Sequence, residues 1–447
     1  MIDKAVAGDE VWVAAGTYVL TATLGAKEGV NIYGGFAGNE TSIVDRSKSD
    51  MDGNGKMEAW EFTNETILSG QFSNTENIIC VITFGGYSAR FKIDTQFDGI
   101  TVANGCIGIY GYGTITINNC IIRDNNKTDG SDTGYWGGIN IVEGTVSNSK
   151  ITNNLAYLIP GRMNGYYSAK GGGIYNDGGT ISNCVITNNT CQIQDNYNRP
   201  TNSVDGGGIY NNGGTIINCV VTGNTCIFNG SSTTSCSGGG IFNYYGTVAN
   251  CLVTNNSRGG IYNLNYSSSL AYVYCSTVEN NSSYNIYNTD YTYNCITDDA
   301  DITQFVNPDT NDFHLAFGSQ YIDAGSLDNL PNWLINGTDL AGNPRTHDGK
   351  ISMGAYEYDP SYVGTNTGIP ELQQQSGIVV SPSPATDFVT VSGLQGNETL
   401  YFYNINGQLL ITHKVASVAE NVPVGHLPSG IYLLKTSNGQ MMKWMKK

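Results

Sequence analysis

The chain has 447 residues, enough to bury a large core and to hold two or three structural units. Only 13% of residues are charged, yet the formal net charge is −17, and an acidic surface repels nucleic acid and anionic membranes, so neither is an expected partner. No run is long and apolar enough to predict a transmembrane segment.

Gly (57) and Tyr (29) are abundant, and Asn, Ser and Thr crowd residues 100–300. Such a composition raises the question of disorder. Ile, Val and Tyr recur regularly among the polar residues, however, which predicts many short strands joined by turns. The first of these lie in residues 5–18 (AVAGDEVWVAAGTY) and 31–40 (NIYGGFAGNE). No secretory leader is visible before them.

An insertion spanning 41–66 carries the sharpest short motif. Residues 50–61 read DMDGNGKMEAWE, which fits a calcium loop of the form D-x-D-x-N-G-x5-E. Asp50, Asp52 and Asn54 would offer side-chain oxygens, Lys56 its carbonyl, and Glu61 a bidentate carboxylate. Ca²⁺ is therefore the one expected cofactor, with the role of stiffening the insertion. The segment 41–49 shows no clear amphipathic helix, so a plain polar turn is the competing account.

From about residue 137 the sequence repeats itself. Residues 171–190 are GGGIYNDGGTISNCVITNNT, 206–225 are GGGIYNNGGTIINCVVTGNT, and 238–257 are GGGIFNYYGTVANCLVTNNS. The repeating isoleucines are Ile139, Ile174, Ile209, Ile241, Ile261 and Ile286, at steps of 35, 35, 32, 20 and 25. The unit is thus about 20 residues plus a polar insertion of variable length (155–170, 191–205, 226–237), the signature of a solenoid turn with loops on one side. Gly, Asn and β-branched residues exclude helical solenoids. Three short strands per turn, stacked into parallel sheets with right-handed crossovers, satisfy the pattern.

Each turn repeats a cysteine: Cys120, Cys184, Cys219, Cys251, Cys275 and Cys295, with Ser149 substituting once. These read as small inward core residues rather than ligands. The asparagines before them (Asn119, Asn148, Asn183, Asn218, Asn250, Asn294) are placed to hydrogen-bond from turn to turn at a bend. Cys191 and Cys226 hold equivalent places in adjacent turns and could pair in an oxidising compartment. Tyr175, Tyr210, Phe242, Tyr262 and Tyr287 follow the repeating Ile, so alternation points them outward as an aromatic column. Such rings can stack on one another or on sugar rings, and they are the candidate ligand-binding residues. Lys150 interrupts an apolar column (Ile121, Val185, Val220, Leu252) and is the one weak catalytic candidate. All four histidines lie outside the repeat body.

These repeats resemble the right-handed parallel β-helix proteins of the pectate-lyase-like superfamily, especially the repeat-rich surface group akin to chlamydial polymorphic outer-membrane proteins. The segments 5–18 and 31–40 resemble the first turns of such proteins, with the preceding capping helix cut down. Residues 301–360, including 312–325 (DFHLAFGSQYIDAG) and 338–358 (TDLAGNPRTHDGKISMGAYEY), are similar to the choice-of-anchor Q end segment of secreted bacterial β-helix proteins. They are expected to supply the last turns and a cap over the open end.

A polar linker (361–376) leads to residues 377–447, where SPSPATD, YFYNINGQ, LPSGIYL and KWMKK occur in that order. Alternating apolar residues predict an Ig-like β-sandwich of about seven strands. The motif order resembles the C-terminal sorting domain of the type IX (Por) secretion system of Bacteroidetes. That resemblance implies export across the outer membrane through the type IX machinery, and hence an N-terminal signal that this chain lacks. The expected fold is all-β: a β-helix over 1–300, the end segment, then the sandwich. The expected function is that of a monomeric, secreted or surface-held adhesin-like scaffold for carbohydrate or another cell-surface ligand. The alternative is a polysaccharide lyase or glycoside hydrolase on the same fold.

Overall fold

The computed structural model describes residues 2–51, 57–73, 76–77, 80–85, 90–126, 137–160, 167–196, 203–230, 235–266, 270–297, 304–308, 312–327, 332–360, 362, 379–394, 396, 398–404, 408–437 and 441–447. They form two compact units, one of residues 1–305 and 313–358, the other of residues 306–312 and 359–447.

The first unit is a parallel β-helix. Each full turn holds three strands, as in Ile174–Asp177, Thr180–Ser182 and Val185–Thr187. Each strand pairs in parallel with its counterpart one turn on: Ile174 with Ile209, Thr180 with Thr215, Val185 with Val220. Two faces merge into one 18-stranded sheet, and the third is a nine-stranded sheet. The coil begins at Glu10–Ala14, which pairs with Asn31–Phe36, so residues 5–18 and 31–40 do enter the first two turns. Ile139, Ile174, Ile209, Ile241 and Ile261 are fully buried in one long core with Cys120, Cys184, Cys219 and Cys251, and Ile286 packs against it at the end, partly buried.

The bends share one grammar. A residue in the left-handed region reverses the chain, and the next residue points inward. Asn148, Asn183, Asn218 and Asn250 (φ 48 to 52) each precede an inward Ser or Cys. Asn153, Asn188, Gly223 and Asn255 (φ 56 to 66) each precede an inward asparagine. Asn and Gly are the residues that tolerate this conformation best, which is why the repeat is rich in both.

In one turn the expected cysteine alignment shifts by a residue. Leu252 pairs with Thr277, and the Cys251 amide donates to Ser276 Oγ at 3.1 Å. Ser276 therefore holds the inward place. Cys275 takes the bend position (φ 41) and faces outward into a second core. A serine in place of a cysteine at this column also occurs at Ser149.

The insertions are not plain loops. Leu155–Leu158, Thr190–Gln194 and Thr225–Asn229 form one three-stranded parallel sheet. Ser168–Lys170, Ser203–Asp205 and Ser235–Ser237 form another. Between them lies a small core of Ala156, Leu158, Ala169, Cys191, Ile193, Val204 and Cys226. The insertions thus stack turn on turn into a ridge along the coil. They close back at the Gly-Gly-Gly runs: a Cβ on Gly207 would stand 2.4 Å from the Gly239 carbonyl, so only glycine fits.

The end segment packs on a flank. Phe313, Leu315, Tyr321, Ile351, Met353, Ala355 and Tyr356 share a core with the outward-facing Ile217, Val220, Ala249, Leu252 and Cys275, and with none of the inward column. The physical reason is the apolar outer face of those turns, which needs cover. The segment is organised by Arg345, which is wholly buried, lies 3.2 Å from Glu357 and donates to the Ser352 and Gly354 carbonyls.

In the second unit, Val379–Ser381, Phe388–Ser392 and Ala419–Pro423 make one antiparallel sheet. Thr399–Asn404, Leu409–Lys414, Gly430–Thr436 and Met441–Lys446 make the other. Seven strands enclose Val389, Val391, Leu400, Phe402, Val422, Leu434 and Trp444, the small β-sandwich that the alternation predicts. Apart from Tyr362, the linker 361–376 lies outside the described residues.

Candidate functional site

The aromatic column exists, and its geometry is regular. Ring centroids lie 5.2 Å apart for Tyr175–Tyr210, 5.1 Å for Tyr210–Phe242, 5.1 Å for Phe242–Tyr262 and 4.5 Å for Tyr262–Tyr287. All four pairs are within 8° of coplanar stacking. The spacing follows from the strand separation of a parallel sheet. The expectation of an outward, open column is corrected in its middle: Tyr210 and Phe242 are each only 6% exposed. Lys170 lies over the Tyr210 ring at 4.6 Å, and Tyr284 packs beside Tyr262 and Tyr287. Only Tyr287, at the end, is half-exposed. The ring faces are spent on one another.

The cover brings two titratable groups together. Lys170 pairs in register with Asp205 on the next turn. Burial pushes the Asp205 carboxyl up to about 7, although its Ser203 hydrogen bond and Lys170 oppose this. Burial also lowers Lys170, against the pull of Asp205 and Asp177. Burial raises the Tyr210 hydroxyl as well. These are the marks of a desolvated seam between ridge and coil.

Tyrosine rings with solvent access gather in the last turns instead. Tyr272 and Tyr274 stand on the outer face in register with Thr247 and Ala249, so tyrosines replace small residues there. Tyr272 meets Tyr291 edge-on at 5.7 Å, and Tyr274 stacks on Tyr293 at 5.4 Å. Tyr244 and Tyr245 pack together at the neighbouring bend. Tyr266 is 71% exposed. In the sequence these residues lie outside the Ile-aromatic register, where the repeat fades; the only signal for them is local tyrosine density.

Three asparagine ladders run through the coil. The one expected, beside the cysteines, forms in part: Asn183 donates to Asn148 and Asn218 to Asn183. Two deeper ladders were not among the expected positions. Asn125, Asn154, Asn189, Asn224 and Asn256 each donate to the next amide oxygen, at 2.9 to 3.0 Å. Asn176, Asn211 and Asn243 do so on another bend, at 2.8 to 3.1 Å. Their signal is the Asn that follows a left-handed Asp, Asn or Gly at the end of the third strand, and the Asn after each aromatic residue of the column.

The other candidates are separate from these. Lys150 lies on the outer face between Ile121 and Val185, as its place in the column predicts. In the calcium motif, Asp52, Asn54 and Lys56 lie outside the described residues. Asp50 and Glu61 belong to a hairpin closed by Lys48 and Phe62 rather than to a helix-flanked loop. Glu61 is buried, accepts from the Met51 and Glu58 amides at 3.1 and 3.0 Å, and is pushed up to about 7 by burial and by Glu58. In this arrangement each oxygen of its carboxyl accepts one amide of the same hairpin. Next to it, Arg46 pairs with Asp98 at 2.7 Å beneath Phe62 and ties the insertion to the coil.

Comparison with known proteins bears on the second unit. Residues 379–447 match the family model of the secretion system C-terminal sorting domain. The protein is secreted or held at the outer cell surface. Its tail is of the type that the type IX machinery reads, as the motif order implies. None of the curated proteins matches the chain. Among solved structures, the pectin methylesterase from Aspergillus niger is similar over 68% of this chain and 87% of its own, at 13% identity and a TM-score of 0.29. Among the described residues, no helix is long and apolar enough to cross a membrane.

Proposed function

We propose that the protein is a surface-delivered scaffold that binds carbohydrate through the tyrosines of its last turns. The observation that carries this reading is the run of tyrosines at one corner of successive turns: the Tyr244–Tyr245 pair, then the Tyr272–Tyr291 pair, whose Tyr272 amide donates to the Gly246 carbonyl beside the first pair, with the exposed Tyr266 between them in sequence. Tyrosine gives an apolar ring face for the C–H face of a sugar and a hydroxyl for its polar edge. The strands beneath hold the rings in place, so little ordering is lost on binding. The net charge of −17 favours a neutral glycan over a polyanionic one.

Purified protein incubated with neutral and acidic polysaccharides tests this. Retention on a neutral polysaccharide with no new reducing ends is the expected result. Substituting Tyr266→Ala, Tyr272→Ala and Tyr291→Ala together should weaken retention at least about tenfold, while Tyr210→Phe should leave it unchanged. New reducing ends, or the absorbance of unsaturated uronate, would instead establish the lyase or hydrolase reading.

A further inference from the structure

The ridge core contains three cysteines, and they stand on two opposed sheets. Cys191 and Cys226 are in-register neighbours on the first, below Ala156 in the same column. Cys236 is on the second, in register with Val204 and Ala169. Turn by turn, the first sheet carries Ala156, Cys191 and Cys226 in this column and the second carries Ala169, Val204 and Cys236. The third turn alone offers a thiol from each sheet. Cys226 Sγ also lies 3.8 Å from the Ser237 carbonyl, the residue after Cys236.

The alternative pair is worse placed. Cys191 and Cys226 are neighbours along one parallel sheet, so their Cβ atoms project side by side at about the 4.8 Å strand spacing. A disulfide needs Cβ atoms about 3.5–4.5 Å apart and directed toward each other. Cys226 and Cys236 come from opposed sheets and share one core, so their side chains approach from facing sides.

We infer that Cys226 and Cys236 form a disulfide when the protein is exported, closing the last insertion of the ridge on itself. The sorting domain sends the chain through an oxidising compartment, where such bonds persist. Two thiols lose two protons and two electrons, one S–S bond forms, and the electrons pass to a disulfide-bearing oxidant such as a thiol-oxidising protein or oxidised glutathione, which is reduced to its dithiol. Cys236 is the more exposed of the two, so its thiolate attacks the oxidant and Cys226 resolves the mixed disulfide. Burial raises the Cys226 thiol well above its ordinary range and Cys236 less, to about 11, so Cys226 is the poorer attacking thiol of the two. Cys191, left as a thiol, is shut in by the same core.

The full chain, recovered from an oxidising compartment or refolded with a glutathione redox pair, decides this. Of its 11 cysteines, nine should label with a thiol reagent in denaturant, and the unreduced mass should be about 2 Da low. A non-reducing digest should yield one linked peptide pair carrying Cys226 and Cys236, released by reductant. Cys191→Ser should keep that pair, and Cys236→Ser should leave ten labelled thiols. Eleven labelled thiols, or a linked pair containing Cys191, would overturn the inference.

Discussion

At the scale of single residues, the repeat is written in side chains that terminate strands rather than fill them. Asn224 is fully buried and satisfied on every side. Its Nδ2 donates to Ile186, Thr222 and Asn256, and its Oδ1 accepts from the backbone and side chain of Asn189. Asn224→Ala strands those partners in a dry interior, so it should lower stability by roughly 3 kcal/mol or more in a urea titration. Asn255, one residue before the next ladder member, is exposed and only supplies a left-handed bend (φ 56). Asn255→Gly should change stability by less than about 0.5 kcal/mol. The two asparagines are adjacent letters in one motif, and only their burial separates their roles.

At the scale of elements, the end segment and the coil meet over a buried acid. Glu279 is 1% exposed and accepts from the Tyr321 hydroxyl at 2.9 Å. Burial raises its carboxyl to about 7, with the Tyr321 hydrogen bond opposing. A raised acid binds its proton more tightly in the folded state. Its favourable contribution is therefore complete below the ordinary glutamate range and is lost as pH rises through about 7. The difference in melting temperature between wild type and Glu279→Gln should shift in favour of the variant from pH 5 to pH 8; equal slopes would place the titrating group elsewhere. The ridge illustrates a different point about elements. Polar insertions such as 191–205 carry the apolar residues Cys191, Ile193 and Val204 at every second place within each short strand, and this suffices to build a core only because the neighbouring turns stack above and below.

At the scale of the molecule, the export signal and the proposed binding surface belong to different units. The antiparallel sandwich is the part that matches a secretion sorting domain, and the coil carries the tyrosine cluster. With a secretory leader supplied at the N-terminus, a chain lacking residues 379–447 should accumulate in the periplasm, whereas one that keeps them reaches the outer surface or the medium; cell fractionation with an antibody to the coil reads the difference. The acidic charge spread over so few ionisable side chains keeps the long sheet faces soluble and adds no attraction for other polyanions.

Much of this was legible in order of residues alone. Step arithmetic on Ile139 to Ile286 determines a stacked coil, because a solenoid turn must repeat its inward residues wherever the chain comes round again. The alternation after residue 377 determines the sandwich in the same way. The aromatic column was equally legible as a stack, since in-register parallel strands leave rings no other spacing. Only the tertiary structure decided its exposure. Lys170, on the ridge built from successive insertions, lies over Tyr210, and Phe242 is closed between the rings of Tyr210 and Tyr262. Tyr272 keeps the half-exposure that Thr145, Thr180, Thr215 and Thr247 have at the same place on the outer face, and Tyr266 stands exposed beyond it. Burial is a property of what packs nearby, and a local pattern carries the direction of a side chain but not the presence of its neighbours. The same holds for Asn224 and for Cys236. Their chemistry was visible as letters, and their partners were assigned when successive turns of the coil closed over them.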